Sequence, residues 1–262
     1  MRNSAALNLR TLGPGSLERK LYAASSAGFS AVGVSQAELD APDERGREEL
    51  RLSELAVAEL EGIAGWMAPG RTSRTMAFMQ AESLFAAAAD IGAQVVVAWP
   101  SDEPVEPLAA ASYFADLCRA AEPFGIRVGL EFVSNSATVP DLATAWQLVE
   151  VAEVANGGIV LDTFHFYRGG SSIETVEGIP GERIFLVQVS DAPPLPPPEL
   201  EDRHRLYPGA GALALESLLA AIRAKGYSGY YSLELHNDEY WREDPMVIAS
   251  EGFRAMRRMD LV

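Results

Sequence analysis

The sequence is short of cysteine, of positive charge and of long apolar runs, and each shortage excludes something. One cysteine, Cys118, allows no disulfide within the chain, which suits a reducing compartment. Lys and Arg number 21 against 37 Asp and Glu, a net charge of -16. Phosphate backbones and anionic membrane surfaces repel such a chain, so nucleic acid is not expected as a partner. No apolar run approaches the ~18–20 residues that cross a bilayer. The opening MRNSAALNLRTLGPG has no long apolar h-region, so no signal peptide or membrane is expected and a cytoplasmic protein is. What is present is ordinary globular material: 262 residues, 48% hydrophobic and 22% charged, enough for a sizeable core.

The glycines carry a repeat. Helix-like residues, then Gly, then a short apolar strand recur at Gly28, Gly92, Gly125, Gly157 and Gly226, spaced by 64, 33, 32 and 69 residues. These are two, one, one and two units of about 33, a period that means a repeated supersecondary unit. The missing junctions fall near Gly62 and near Ile184. Predicted strands are 6–12, 31–34, 61–66, 95–99, 127–133, 158–162, 184–190 and 230–235. They are apolar on both faces, as covered parallel strands are. Between them lies helical periodicity: Leu215, Leu218, Leu219 and Ile222 fall on one face, as do Tyr113, Leu117 and Phe124. Gly at each helix end supplies the left-handed cap. Eight such βα units predict an α/β fold, a (β/α)8 TIM barrel, whose usual length is ~250 residues. It is expected to form a single domain over 1–262. No GxGxxG follows the first strand to favour an open doubly wound sheet. The proline-rich stretch 191–211 is then a long loop on the face where barrels place their active sites.

Polar residues interrupt the apolar strands near four consecutive C-terminal ends: Glu131, Asp162, Gln188 and Glu234. In a barrel they share one rim. Three carboxylates packed together cannot all stay ionised without a compensating cation. An oxygen-rich set suits one divalent metal ion, Mg2+ or Mn2+ more than Zn2+. The alternative is that each acid caps a strand or pairs with a nearby arginine.

The segments LEF (130–132), LDTFHFYRGG (161–170), FLVQVSDAP (185–193), Arg203-His204-Arg205 through Pro208-Gly209, and GYSGYYSLELHN (226–237) carry a resemblance. In this order and spacing the chain resembles the xylose isomerase-like TIM-barrel superfamily, in its sugar phosphate isomerase/epimerase branch. LNLRTLGPGSLERKLYAASSAGFSAVGV near the start is also similar. The resemblance implies a divalent metal held by Glu131, Asp162, the strand-seven residue and Glu234. It implies that His165 faces the site and that Arg203 reaches substrate oxygens. Many family epimerases have His where this chain has Gln188; some members similar to 3-dehydroshikimate dehydratases carry Gln there. The apurinic endonucleases of the superfamily use many histidines, and this chain has three and the wrong charge for DNA.

The chemistry expected is that of an isomerase or epimerase of a keto-sugar or related polyhydroxy ketone. A carbonyl polarised by the metal acidifies the neighbouring C–H and stabilises the enediolate. Glu131 and Glu234 on opposite sides of the substrate take and return the proton. Loss of a β-hydroxyl from the same species makes the enzyme a lyase instead, with His165 as general acid or base. A third reading is a barrel subunit that binds a ligand or partner without turnover. The partner expected is a small carbohydrate-like ketone, and a homo-oligomer is allowed.

Further residues have two readings each. Arg10, Trp66 and Trp99, at the ends of strands one, three and four, line a sugar pocket or pack in the core. Asn237 and Trp241 line the pocket from the last loop, and His236 backs Glu234. His204 faces solvent. Arg168 to Ser172 either cradles an anion with backbone N–H groups or is ordinary loop. Cys118 is a buried, inert thiol, PGAG at 208–211 is a turn, and the acidic run Glu38 to Glu49 is a solvated helix entry.

Overall fold

The computed structural model describes residues 4–39 and 45–262. Eight parallel strands close into a barrel in sequence order: β1 (Ser4–Asn8), β2 (Ala31–Ser35), β3 (Ala56–Ile63), β4 (Val95–Ala98), β5 (Arg127–Glu131), β6 (Gly157–Asp162), β7 (Ile184–Val189) and β8 (Tyr230–Leu233). The ring closes where β1 meets β8, with Ala5 opposite Tyr231 and Leu7 opposite Leu233. Helices follow the strands, among them Leu17–Ala27, Arg71–Ile91, Pro107–Ala121, Leu142–Ala152, Leu215–Ala224 and Pro245–Arg258. The expected (β/α)8 barrel is therefore what forms. No helix among the described residues is long and apolar enough to cross a membrane.

Five of the strands (β1, β4, β5, β7 and β8) are shorter than the apolar runs that announce them, while β2, β3 and β6 are longer. The first run stops at Asn8, whose side chain accepts the Arg10 N–H at 3.1 Å and starts a 3-10 turn over Leu9–Leu12. Arg10 thus stands on a turn above the rim. Gly28, Gly92, Gly125 and Gly226 take positive φ at the helix-to-strand junctions, as the repeat requires. Two junctions differ from expectation. Glu54 (φ 57) closes the turn into β3, and Glu153 (φ 50) caps the helix before β6. Gly62 lies inside β3, and Gly157 opens β6 where a Cβ would meet Val154 and Phe114.

Burial on both faces explains the continuous apolar runs. Leu7, Val32, Leu60, Val96, Leu130 and Leu161 face the helices. Ala6, Ala31, Val95, Val97, Val160 and Leu186 fill the barrel interior. Above this apolar floor the interior becomes polar, and β3 supplies two of its acids through two register shifts. Val57 lies opposite Val32, but Glu59 lies opposite Gly33. The extra residue at Ala58 is a bulge that turns Glu59 and Glu61 inward. A second shift, at Gly62 (φ 133), returns Ile63 to the helix side.

The long loop after β7 is tied down rather than free. Asp191 and Leu206 pair as an antiparallel bridge. The Asp191 carboxylate accepts backbone N–H bonds from Ala192, Gly209, Gly211 and Leu213 at 2.8–3.1 Å. PGAG is the expected turn, held by this one side chain. The acidic run needs correction at its start: Glu38 is not solvated. Its carboxylate accepts from Lys20 Nζ at 2.7 Å and from Ser35 N–H, and both charged side chains are largely buried. The 40–44 part of that run lies outside the described residues.

Candidate active site

The four rim residues come from four successive strands. Glu131 and Asp162 end β5 and β6, Gln188 sits in β7 opposite Asp162, and Glu234 follows the last residue of β8. All four are buried. Glu131 and Glu234 line a cavity of about 360 Å³ together with Arg10, Trp99, His165 and Arg205, whereas Asp162 and Gln188 are not part of its lining.

Each acid is held by a different neighbour. Trp99 Nε1 donates to Glu131 Oε2 at 2.8 Å, which leaves Oε1 facing His165 Nε2 at 4.0 Å. Asp162 Oδ1 accepts the His165 N–H at 2.9 Å and so caps the short helix Thr163–Arg168. Its Oδ2 accepts from Arg205 Nη1 at 2.6 Å. The same Nη1 lies 3.5 Å from Glu234 Oε2. Glu131, Asp162 and His165 each offer one ligand atom within 4.8 Å of the others. The Ser134 backbone N–H points at His165 Nδ1 at 3.4 Å, and the Ser134 hydroxyl lies 3.0 Å from it. An N–H can only donate, so Nδ1 accepts and the neutral ring carries its proton on Nε2, toward Glu131.

Four buried polar atoms here have no hydrogen-bond partner: Gln188 Oε1, Glu234 Oε2, Arg205 Nε and His236 Nε2, and of these Glu234 Oε2 still lies 3.5 Å from the Arg205 guanidinium. Buried acceptors are normally satisfied. The unpartnered Gln188 oxygen beside three buried carboxylates is an oxygen-rich donor set that fits a divalent cation.

The electrostatics separate the acids. Burial, then the charges of Glu234, Asp162 and Glu61, push Glu131 well above the ordinary carboxylate range. Burial also opposes ionisation of Glu234, but His236, Arg205 and a hydrogen bond from Glu61 outweigh it and hold Glu234 well below that range. Glu59 is pushed up to about 8 by burial and the Glu234 charge, against hydrogen bonds from Ser232, Gln188 and Asn8. Burial lowers His165, with Arg205 adding to the effect. Burial opposes the Arg205 charge, but Asp162 and Glu234 more than restore it.

The arginine that the structure brings to the rim is Arg205, not the expected Arg203. Arg203 is exposed on a 3-10 turn and pairs with Glu201 at 3.0 Å. Arg205 is 1% exposed, lies over the Phe164 ring and reaches two rim acids. The usable signal was that a buried acid cluster needs an internal cation, and Arg205 alone of the pair precedes an extended apolar step. Glu59, Glu61, Asn8 and Ser232 were also missed, and together they form the polar layer below the rim. Asn8 Nδ2 donates to Glu61, to Glu234 at 3.2 Å and to Glu59 at 3.4 Å.

Other expected residues divide. Trp99 and Arg10 line the cavity, with Arg10 Nη1 3.3 Å from Glu61 Oε2. Trp66 takes its core reading: it is fully buried against Phe114, and its Nε1 donates to the Trp99 carbonyl at 2.7 Å. Asn237 spends its amide on the Arg205 carbonyl at 3.0 Å, and Trp241 covers Gly13. His236 lies 3.5 Å from Glu234. His204 is half-buried rather than solvent-facing, and its Nδ1 accepts the Glu201 N–H. The segment after His165 cradles no anion, because the N–H groups of Gly169, Gly170 and Ser171 all donate to preceding carbonyls. Cys118 is buried and its thiol is pushed up by burial, as an inert thiol should be.

Comparison with known proteins follows the same lines. An inosose isomerase of Halalkalibacterium halodurans is 38% identical over 128 residues, 48% of this chain and 45% of that protein. A 3-dehydroshikimate dehydratase of Pseudomonas aeruginosa is 31% identical over 250 residues, 92% of this chain and 39% of that protein. The chain thus matches less than half the length of either curated relative. A solved structure of the IolI protein with a binding zinc atom superimposes with a TM-score of 0.91 at 22% identity, covering 98% of both chains. A match over residues 21–259 shows that the chain belongs to the xylose isomerase-like TIM barrel family.

Proposed function

We propose that this chain is a divalent-metal-dependent isomerase or epimerase of an uncharged polyhydroxy ketone. The observation that carries it is the gathering of Glu131, Asp162 and His165 ligand atoms within 4.8 Å of one another, with buried Glu234 joined to Asp162 through Arg205 and Gln188 Oε1 unpartnered. Glu131, Asp162, Gln188 and Glu234 would hold the ion, Mn2+ or Mg2+. When bound, the ion polarises a ketone carbonyl and acidifies the adjacent C–H. Glu131 and Glu234, on strands three apart around the ring, take a proton from one face and return one to the other. His165, with its proton on Nε2, donates to a substrate oxygen. Trp99 forms an apolar wall and fixes the Glu131 rotamer. Asp102 and Asp202 also line the cavity, while Arg10 and Arg205, its arginines, already face carboxylates. That balance favours a neutral polyol ketone over a phosphate or carboxylate.

A second reading is a lyase that dehydrates a cyclic keto compound. Gln188 at the strand-seven position and the 92% coverage by a 3-dehydroshikimate dehydratase favour it. Incubation with inosose or 3-dehydroshikimate in D2O, with added Mn2+, separates the readings. An isomerase washes deuterium into the α-carbon of inosose; a lyase consumes 3-dehydroshikimate with new ultraviolet absorbance. Glu131→Gln and Glu234→Gln should each lower turnover at least about 10²-fold, as loss of a general acid or base does. No exchange with either ketone would leave a binding subunit.

A further inference from the structure

Beneath the rim, Glu59 makes an arrangement that neither the proposed chemistry nor the family match requires. It is fully buried in the barrel, and its space exists because residue 33 is glycine, where a Cβ would collide with the carboxylate. Ser232 Oγ donates to Glu59 Oε1 at 2.6 Å, and Asn8 Nδ2 approaches the same oxygen at 3.4 Å. Gln188 Nε2 donates to Glu59 Oε2 at 3.1 Å. The other end of that amide, Gln188 Oε1, has no partner.

An amide can present either its oxygen or its NH2 to a cation, and only the oxygen is a ligand. A histidine ligand has its tautomer set by an acceptor on its far nitrogen; a glutamine needs its flip set in the same way. We propose that Glu59 is a positioning residue: by accepting from Gln188 Nε2 it commits the Gln188 oxygen to the rim. This rests on the proposed metal site. It does not depend on whether Glu59 is ionised. The Ser232 hydroxyl can turn from donor to acceptor, so a proton on Glu59 rests on Oε1 and Oε2 stays an acceptor.

The test is a double-mutant cycle read by calorimetric titration of the metal-free protein with Mn2+. Glu59→Met removes the acceptor at similar volume. It should weaken Mn2+ binding about 10–100-fold, the usual effect of losing a residue that orients a ligand. In the Gln188→Glu background the same substitution should leave the affinity unchanged or strengthen it, because a carboxylate has no wrong end and loses a facing acid. Equal weakening in both backgrounds would mean plain damage to the barrel and would overturn the inference, as would no weakening with Gln188 in place. Wild-type protein that binds neither Mn2+, Mg2+ nor Zn2+ would remove the metal site itself, a separate failure. A second measurement needs no Glu59 variant. The Gln188 side-chain NH2 signals, identified by their absence from Gln188→Glu, should stay protected from solvent exchange before and after Mg2+ is added. Fast exchange in either state would overturn the assignment.

Discussion

At the scale of the residue, two arginines separated by one histidine have different fates, and the difference is measurable. Arg205 is the internal cation of the rim, facing Asp162 at 2.6 Å and Glu234 at 3.5 Å. Removing one member of a buried ion pair leaves the other charge uncompensated, at a cost of about 3–5 kcal/mol. Arg205→Met should therefore lower the urea-unfolding free energy of the metal-free protein by about that much. Arg203 pairs with Glu201 in solvent, and Arg203→Ala should change stability by less than about 0.5 kcal/mol. Equal effects of the two substitutions would remove Arg205 from its place as the compensating charge. The run Arg203-His204-Arg205 through Pro208-Gly209 was legible in the sequence. Which guanidinium turns inward was not, because the bridge of Leu206 to Asp191 and the contacts of Arg205 with Asp162 and the Phe164 ring, all distant in the chain, set that direction.

At the scale of the element, β3 and the loop after β7 do most to shape the site. A strand read with strict alternation puts Glu59 and Glu61 on the same face as Val57. The bulge at Ala58 breaks that alternation, and it is visible only against the pairing with β2. The expected strand 61–66 began where β3 is already near its end. In the loop, one carboxylate gathers four backbone N–H groups while Leu206, beside Arg205, bridges to Asp191. Asp191→Ala should cost about 1–3 kcal/mol, the penalty for leaving buried donors unsatisfied. The amides of Gly209, Gly211 and Leu213 should exchange with solvent faster, and the Arg205 side chain should lose its fixed position. Hydrogen exchange checks this, and unchanged protection at those three amides would show that the loop is held by something else.

At the scale of the whole molecule, a chain of net charge -16 gathers several of its acids in its own interior. Its stability without metal should then depend on pH in a defined direction. Glu59 titrates near 8 in the folded chain against an ordinary 4.5. Between those values the folded state holds a proton that the unfolded state has lost, so stability falls as pH rises. Glu61 and Glu131, also raised, act in the same sense. His165 acts oppositely, but its folded value lies below an ordinary 6.5, so its contribution is complete above that pH. The melting temperature of chelator-treated protein should therefore fall between pH 6.5 and 8. Mn2+ should raise it and flatten the slope, since an ion bound only to the folded state stabilises by mass action and replaces the protons. A melting temperature that is flat or rising over that range without metal would contradict the buried-acid cluster.

The sequence by itself determined the barrel and the four rim positions. Both follow from local, repeated information: a period near 33 residues, apolar runs that end in a polar residue, and helices that close on glycine. Only the tertiary structure decided which other polar side chains join them. Arg205 instead of Arg203, and Glu59 and Glu61 inside while Trp66 is withdrawn into the core, all depend on the direction in which a side chain leaves the backbone. That direction is set by register against neighbouring strands and by turns folded across the rim. Those contacts are made by residues far apart in the chain, so no window of the sequence contains them.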